Sequence, residues 1–167
     1  MDPVSTIVVG IDAGQADAVV LVAAELAARL DADLVCVVVD ESSYTITDRD
    51  GRAVVAPIDP DAVDDGPSPA DTAAEHLHAV LDRVTTGWSV RAITGDPAAG
   101  LAAVAQDVDA LMIVLGTNRR TVARSVREFF AGSIAAYLAH RQPRPILVVP
   151  LDPSPPESGV PWWEDRG

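Results

Sequence analysis

Short apolar runs alternate with amphipathic stretches along the first 150 residues, and that alternation admits few architectures. Residues 4–11 form the first run, rich in β-branched side chains and ending at Asp12. From Ala13 to Leu30 the spacing turns helical. Ala16, Val19, Val20, Ala23, Leu26, Ala27 and Leu30 share one face, with Asp17, Glu25 and Arg29 elsewhere. Leu34–Val39 is a second run, bounded by Asp33 and Asp40, and Trp88–Ile93, Leu111–Leu115 and Pro145–Val149 repeat the pattern. Continuous apolar runs suit strands covered on both faces, the condition of a parallel sheet. Ser68-Pro69-Ala70-Asp71 predicts a helix start, with a capping Ser, Pro in the first turn and an acid three residues after the cap. Ala73, Leu77, Val80, Leu81 and Val84 supply that helix's buried face. A third helix is expected from Asp96-Pro97, burying Leu101, Val104, Ala105 and Val108, and a fourth within Ser125–His140, where Phe130, Ile134 and Leu138 recur every four. Five strands and four helices in strict alternation, joined by right-handed crossovers, make an open α/β sheet wound with helices on both faces, Rossmann-like in plan. Ligands in such sheets sit beyond the carboxyl ends of the strands, where strand order reverses. Here those ends are Asp12, Asp40 and Gly116.

Two segments break the rhythm. Tyr44–Thr47 and Arg52–Val55 flank Asp48-Arg49-Asp50-Gly51, which reads as a hairpin closed at Asp50-Gly51, followed by a Pro/Asp/Gly-rich stretch to Pro67. Leu151–Gly167, with four Pro and the adjacent Trp162-Trp163, reads as a tail. The expected organisation is one domain over residues 1–150, with an acidic insertion at about 41–67, and the tail over 151–167. Charge follows this division. Residues 40–71 hold nine acids and two Arg, so they supply -7 of the formal -13. Residues 119–144 hold six Arg and one Glu, a local +5.

Composition removes several chemistries. The chain has no Lys; all twelve basic residues are Arg. A phosphate-loop Lys, a kinase Lys and a Schiff base are thereby excluded. The single Cys36 permits no intrachain disulfide, redox pair or cysteine-based zinc site; lying in an apolar run, it is expected to be an inert core thiol. The acidic balance argues against nucleic-acid binding through a general field. No apolar run reaches the length of a membrane span, so a cytoplasmic protein with no membrane association is expected. His76 and His78, two apart on a helix, do not share a face as metal ligands would, and Asp59, Asp61, Asp64 and Asp65 lack calcium-loop spacing. No metal site is expected, and Ser133 has no His/Asp partner arrangement that would make it a nucleophile.

The strand ends carry the remaining chemistry. Gly116-Thr117-Asn118 follows the fourth apolar run, and Gly132-Ser133-Ile134 lies where the last helix is entered. Small residues in such places let backbone N–H groups approach an anion, aided by a helix N-terminus; a plain turn is the competing reading. Ile7-Val-Val-Gly-Ile-Asp12, Thr94-Gly-Asp-Pro-Ala98, Asp109–Thr117, Phe130-Ala-Gly-Ser-Ile134 and Pro145–Pro150 occur in this order along the chain. With these motifs, roughly Val4–Pro150 resembles the universal stress protein family. The resemblance implies a sheet of order 3-2-1-4-5, a homodimer joined through the last strand (Pro145–Pro150), and a regulatory protein partner. Many members bind ATP through glycine, two residues, glycine, nine residues, glycine and Ser or Thr. ATP with Mg²⁺ is the cofactor so implied, and the candidate nucleotide-binding residues are Asp12, Val38, Leu115, Gly116, Arg119, Gly132, Ser133 and Ile134.

This chain departs from that pattern twice. Arg119 stands at the middle glycine, and the spacing to Gly132 is three residues longer; Gly14 also replaces a Ser often found two positions after the acid. Arg cannot adopt positive φ as freely as Gly. Arg119, with Arg120, Arg124 and Arg127, either fills the phosphate pocket or offers guanidinium contacts by side chain instead of backbone. The first outcome predicts a stress-response regulator that acts by binding, without catalysis, on a degenerate ATP loop. The second predicts a working ATP or cyclic-nucleotide binder, and a hydrolase or synthetase on the same plan is a third, more distant reading.

Overall fold

A computed structural model describes residues 4–11, 16–40, 43–47, 53–57, 67–117 and 134–151. In chain order the elements are β1 (Ser5–Ile11), α1 (Ala16–Leu30), β2 (Ala32–Asp40), β3 (Ser43–Thr47), β4 (Ala53–Pro57), α2 (Pro69–Leu81), β5 (Trp88–Thr94), α3 (Pro97–Asp107), β6 (Met112–Gly116), α4 (Ile134–Arg141) and β7 (Ile146–Val149). Five strands form one parallel sheet in the order β5-β2-β1-β6-β7, the expected 3-2-1-4-5. The excursion is the expected hairpin: β3 and β4 pair antiparallel, with Ser43 opposite Pro57 and Thr47 opposite Ala53. Its turn, 48–52, lies outside the described residues.

Two apolar layers clamp the sheet, because alternate residues of each strand face opposite sides. On one face Ile7, Val9, Leu34, Cys36 and Val114 pack under α1 and α2. On the other, Val8, Val35, Val37, Ile113 and Leu115 meet α3 and Leu138 of α4. With so little aromatic content, close approach replaces bulk: Val19, Val20, Ala23, Ala24 and Ala27 bring α1 down onto the strands. Leu30 departs from the expected face. It stands at the last turn of α1 and is exposed. The strand β2 is also longer than the apolar run, since Ala32 and Asp33 join its ladder beside β1.

Local signals set the helix ends. The Ser68 hydroxyl accepts from Asp71 N at 3.1 Å while the Asp71 carboxylate accepts from Ser68 N, a reciprocal cap at the start of α2. The Asp96 carboxylate caps α3 by accepting from Ala99 N at 2.7 Å, and Gly95 before it takes φ +82°. Asp31 and Asp109 turn left-handed (φ 51° and 46°) just past α1 and α3, a role short polar residues tolerate. Asp109 is also held by Arg144, whose Nε donates to Ala110 O at 2.8 Å and whose Nη2 donates to Asp109 Oδ1 at 3.0 Å.

Candidate functional site

The carboxyl ends of the strands lie along one rim of the sheet, and that rim shapes the site. The ladder between β1 and β2 can be followed to Ile11 opposite Val38, where the described part of β1 ends, and that between β2 and β5 to Asp40 opposite Thr94. On the other side Val9 pairs with Val114, so the same register carried two residues on puts Ile11 level with Gly116, which pairs with Val149. The notch over β1, beyond Ile11, is bordered by β2 on one side and by the β6–β7 pair on the other. The connection from β1 leads to β2 and that from β6 leads to β7, in opposite directions. The notch thus lies at the sheet's topological switch point.

Gly116 closes one wall by packing. A Cβ there would lie 2.8 Å from Val19 Cγ2 and 3.0 Å from Leu151 Cδ1. Only a residue without a side chain lets the end of β6, the first turn of α1 and Leu151 meet. Thr117 fastens the same corner. Its N–H donates to Val149 O at 2.9 Å, and its Oγ1 accepts from Leu151 N at 2.9 Å. The chain leaving β6 is so tied to the chain leaving β7. Neither Thr117 nor Leu151 was singled out from sequence; the Gly-Thr pair at a strand end was the available signal for the first, while Leu151 carried none.

Of the other sequence-predicted residues, Val38 (8% exposed) and Leu115 (7%) sit at the strand ends with closed side chains. Leu115 turns toward the layer under α3, where its Cδ2 would meet a Cβ on Gly10 at 2.7 Å. Those two residues can offer backbone to the notch, not side chain. Ile134 opens α4 and is exposed. Asp12, Arg119, Gly132 and Ser133 lie outside the described residues, as do Gly14, Asn118, Arg120, Arg124 and Arg127. The start of α3 is another helix N-terminus near these strand ends, and its own Asp96 side chain takes one of the free N–H groups, that of Ala99.

The remaining candidates separate. His76 Nε2 lies 2.6 Å from Asp17 Oδ1, linking α2 to α1, whereas His78 meets the edge of Trp88 with ring centroids 4.7 Å apart. The two imidazoles serve different neighbours. Cys36 is buried, and burial pushes its thiol up to about 12, so it is the inert core residue expected from its run. An open cleft between α2 and β5, lined by Asp71, His78, Thr86 and Trp88 among others, shares no residue with the notch. Among the described residues no helix is long and apolar enough to cross a membrane. Asp59, Asp61, Asp64, Asp65 and Trp162-Trp163 fall outside them.

Comparison with known proteins follows the same lines. The model of the Universal stress protein family matches residues 3–150. No curated protein sequence matches the chain. Among solved structures, a universal stress protein in complex with cAMP is similar at TM-score 0.60 and 20% identity, over 87% of this chain and 95% of that one. A protein of the same family from Burkholderia pseudomallei has TM-score 0.57 and 25% identity, over 90% and 98%. The universal stress protein from Archaeoglobus fulgidus in complex with dAMP has TM-score 0.54 and 17% identity, over 87% and 98%.

Proposed function

We propose a function from one premise: the chain belongs to the universal stress protein family. On that footing it is a small regulatory protein that acts by binding an adenine nucleotide, without catalysis. The observation that carries the reading is the switch point between β1 and β6, from which the connections run in opposite directions to β2 and to β7. Backbone at the carboxyl ends of such strands offers N–H and C=O groups that a flat, hydrogen-bonding base can meet. Similar structures hold cAMP and dAMP, which supports an adenine nucleotide as the ligand class.

The phosphate end differs from a glycine-lined cradle. Gly116 is consumed by packing against Val19 and Leu151, and Arg119 replaces the middle glycine. Guanidinium groups bind phosphate oxygens in pairs without needing the backbone to approach. Arg119 and its neighbours therefore hold one phosphate well and a triphosphate with Mg²⁺ less well, and Asp12 meets the nucleoside. Titration calorimetry against AMP, cAMP and Mg-ATP tests this. The expected result is a dissociation constant on the order of micromolar, about -8 kcal/mol, for a single-phosphate nucleotide, and weaker binding of Mg-ATP. Loss of the heat in Arg119→Ala and Asp12→Ala, with unchanged melting temperature, would confirm the assignment. No heat from any of the three nucleotides overturns it.

The reading includes a cytoplasmic homodimer through β7. The outer edge of β7 has no partner strand among the described residues, and Val148 on it is exposed, as are Tyr137 and Ile134 of α4. An open edge with apolar neighbours is a surface that proteins usually cover.

A further inference from the structure

The side of α1 that looks away from α2 carries an apolar row with nothing over it among the described residues. Asp17 marks the opposite side, since it reaches His76 of α2. At 100° per residue Leu26 lies nine residues on and diametrically across the helix, flanked one turn away by Val22 and Leu30. Val22 is 37% exposed and Leu30 45%, while Leu26 is half-buried against the core. This row runs beside β7, whose Leu147 and Val149 face the same layer. Among the described residues no helix flanks it there, because α3 and α4 pack on the other face.

The chain itself arrives at that row. Leu151 is inserted against Gly116 and Val19, and its N–H is tied to Thr117, so the last described residue leaves the fold beside the first turns of α1. Residues 152–167 follow, with Trp162 and Trp163 eleven and twelve positions beyond Leu151. Eleven residues in the extended geometry that prolines favour reach up to roughly 34 Å. From Val19 to Leu30 the helix is only about 17 Å long. The reach is ample, and a proline-rich segment loses less freedom on ordering than an ordinary one.

We propose that the C-terminal segment folds back along α1 and seats Trp162 and Trp163 on the Val22–Leu26–Leu30 row of its own chain. Two indoles would otherwise leave about 150–250 Å² each in water, and the tether gives them a local concentration in the millimolar range at this surface. The segment then completes the layer that α1 leaves open over β7.

Tail fluorescence tests this in the full chain. In Trp88→Phe, Trp162 and Trp163 are the only indoles, and their emission should be blue-shifted and shielded from acrylamide. Adding Val22→Asp and Leu30→Asp should shift the emission red and raise the quenching constant severalfold, with the circular dichroism unchanged. If that variant does not fold, the Trp162→Ser/Trp163→Ser chain serves instead, and should bind several times more of a hydrophobic dye. Water-like emission in Trp88→Phe overturns the proposal, as does quenching that ignores the α1 substitutions or dye binding that ignores the tail. Shielding that disappears on dilution assigns the indoles to a second copy and also overturns it.

Discussion

A side chain at Gly116 has nowhere to go. Val19 and Leu151 converge on it, so Gly116→Val must push α1 or the chain after β7 outward. Overpacking of this kind costs about 1–3 kcal/mol, to be read as a lower denaturant midpoint at unchanged slope. The same residue opens the nucleotide loop, so its glycine is explained by packing before any ligand is considered. Cys36 offers a second single-residue prediction. Its thiol stays protonated up to about 12 in the folded chain, against an ordinary value of 9.0. Between those values the unfolded chain has released the proton and the folded chain has not, so the folded state binds more protons and stability falls as pH rises. Below pH 9 this contribution is fully present. Denaturant midpoints taken from pH 8 upward should decline more steeply for the wild type than for Cys36→Val, and a thiol reagent at neutral pH should react only as the chain unfolds.

At the scale of elements, local chemistry determines where helices begin. Ser68→Ala removes one half of the reciprocal cap of α2 and should cost about 1 kcal/mol, with faster amide exchange confined to the first turn of that helix. The same signals explain what was legible. Ser68-Pro69 and Asp96-Pro97 announce their helices in the sequence because the capping groups are neighbours in the chain. The hairpin at β3–β4 was legible for the same reason, through the Asp50-Gly51 pair that the sequence places between its two runs. What was hidden depends on partners distant in sequence. Leu30 fits the apolar stripe of α1 yet lies on the flank turned away from α2 and is exposed, and periodicity cannot report which flank a neighbour covers. That Ile11 of β1 comes level with Gly116 of β6 is a property of register, which appears only when the ladders are aligned. The candidate site was therefore half visible: Gly116 and the strand ends could be named, but the notch and the Thr117–Leu151 tie could not.

At the scale of the molecule, the open edges of the sheet bear on assembly. Pairing through β7 predicts a dimer by sedimentation at micromolar concentration, and Val148→Asp, which buries a carboxylate in that junction, should yield a folded monomer. The charge distribution now has a structural sense as well. The acidity gathers in the excursion around β3–β4, and the arginines gather after β6, where a phosphate is expected. The central claim is that the notch over β1 takes an adenine nucleotide held by arginine side chains. Calorimetric titration of the full-length chain with AMP or cAMP beside Mg-ATP tests it most directly. The account predicts micromolar binding of the single-phosphate nucleotide, weakened at least tenfold by Arg119→Ala; the absence of heat with every adenine nucleotide would contradict it.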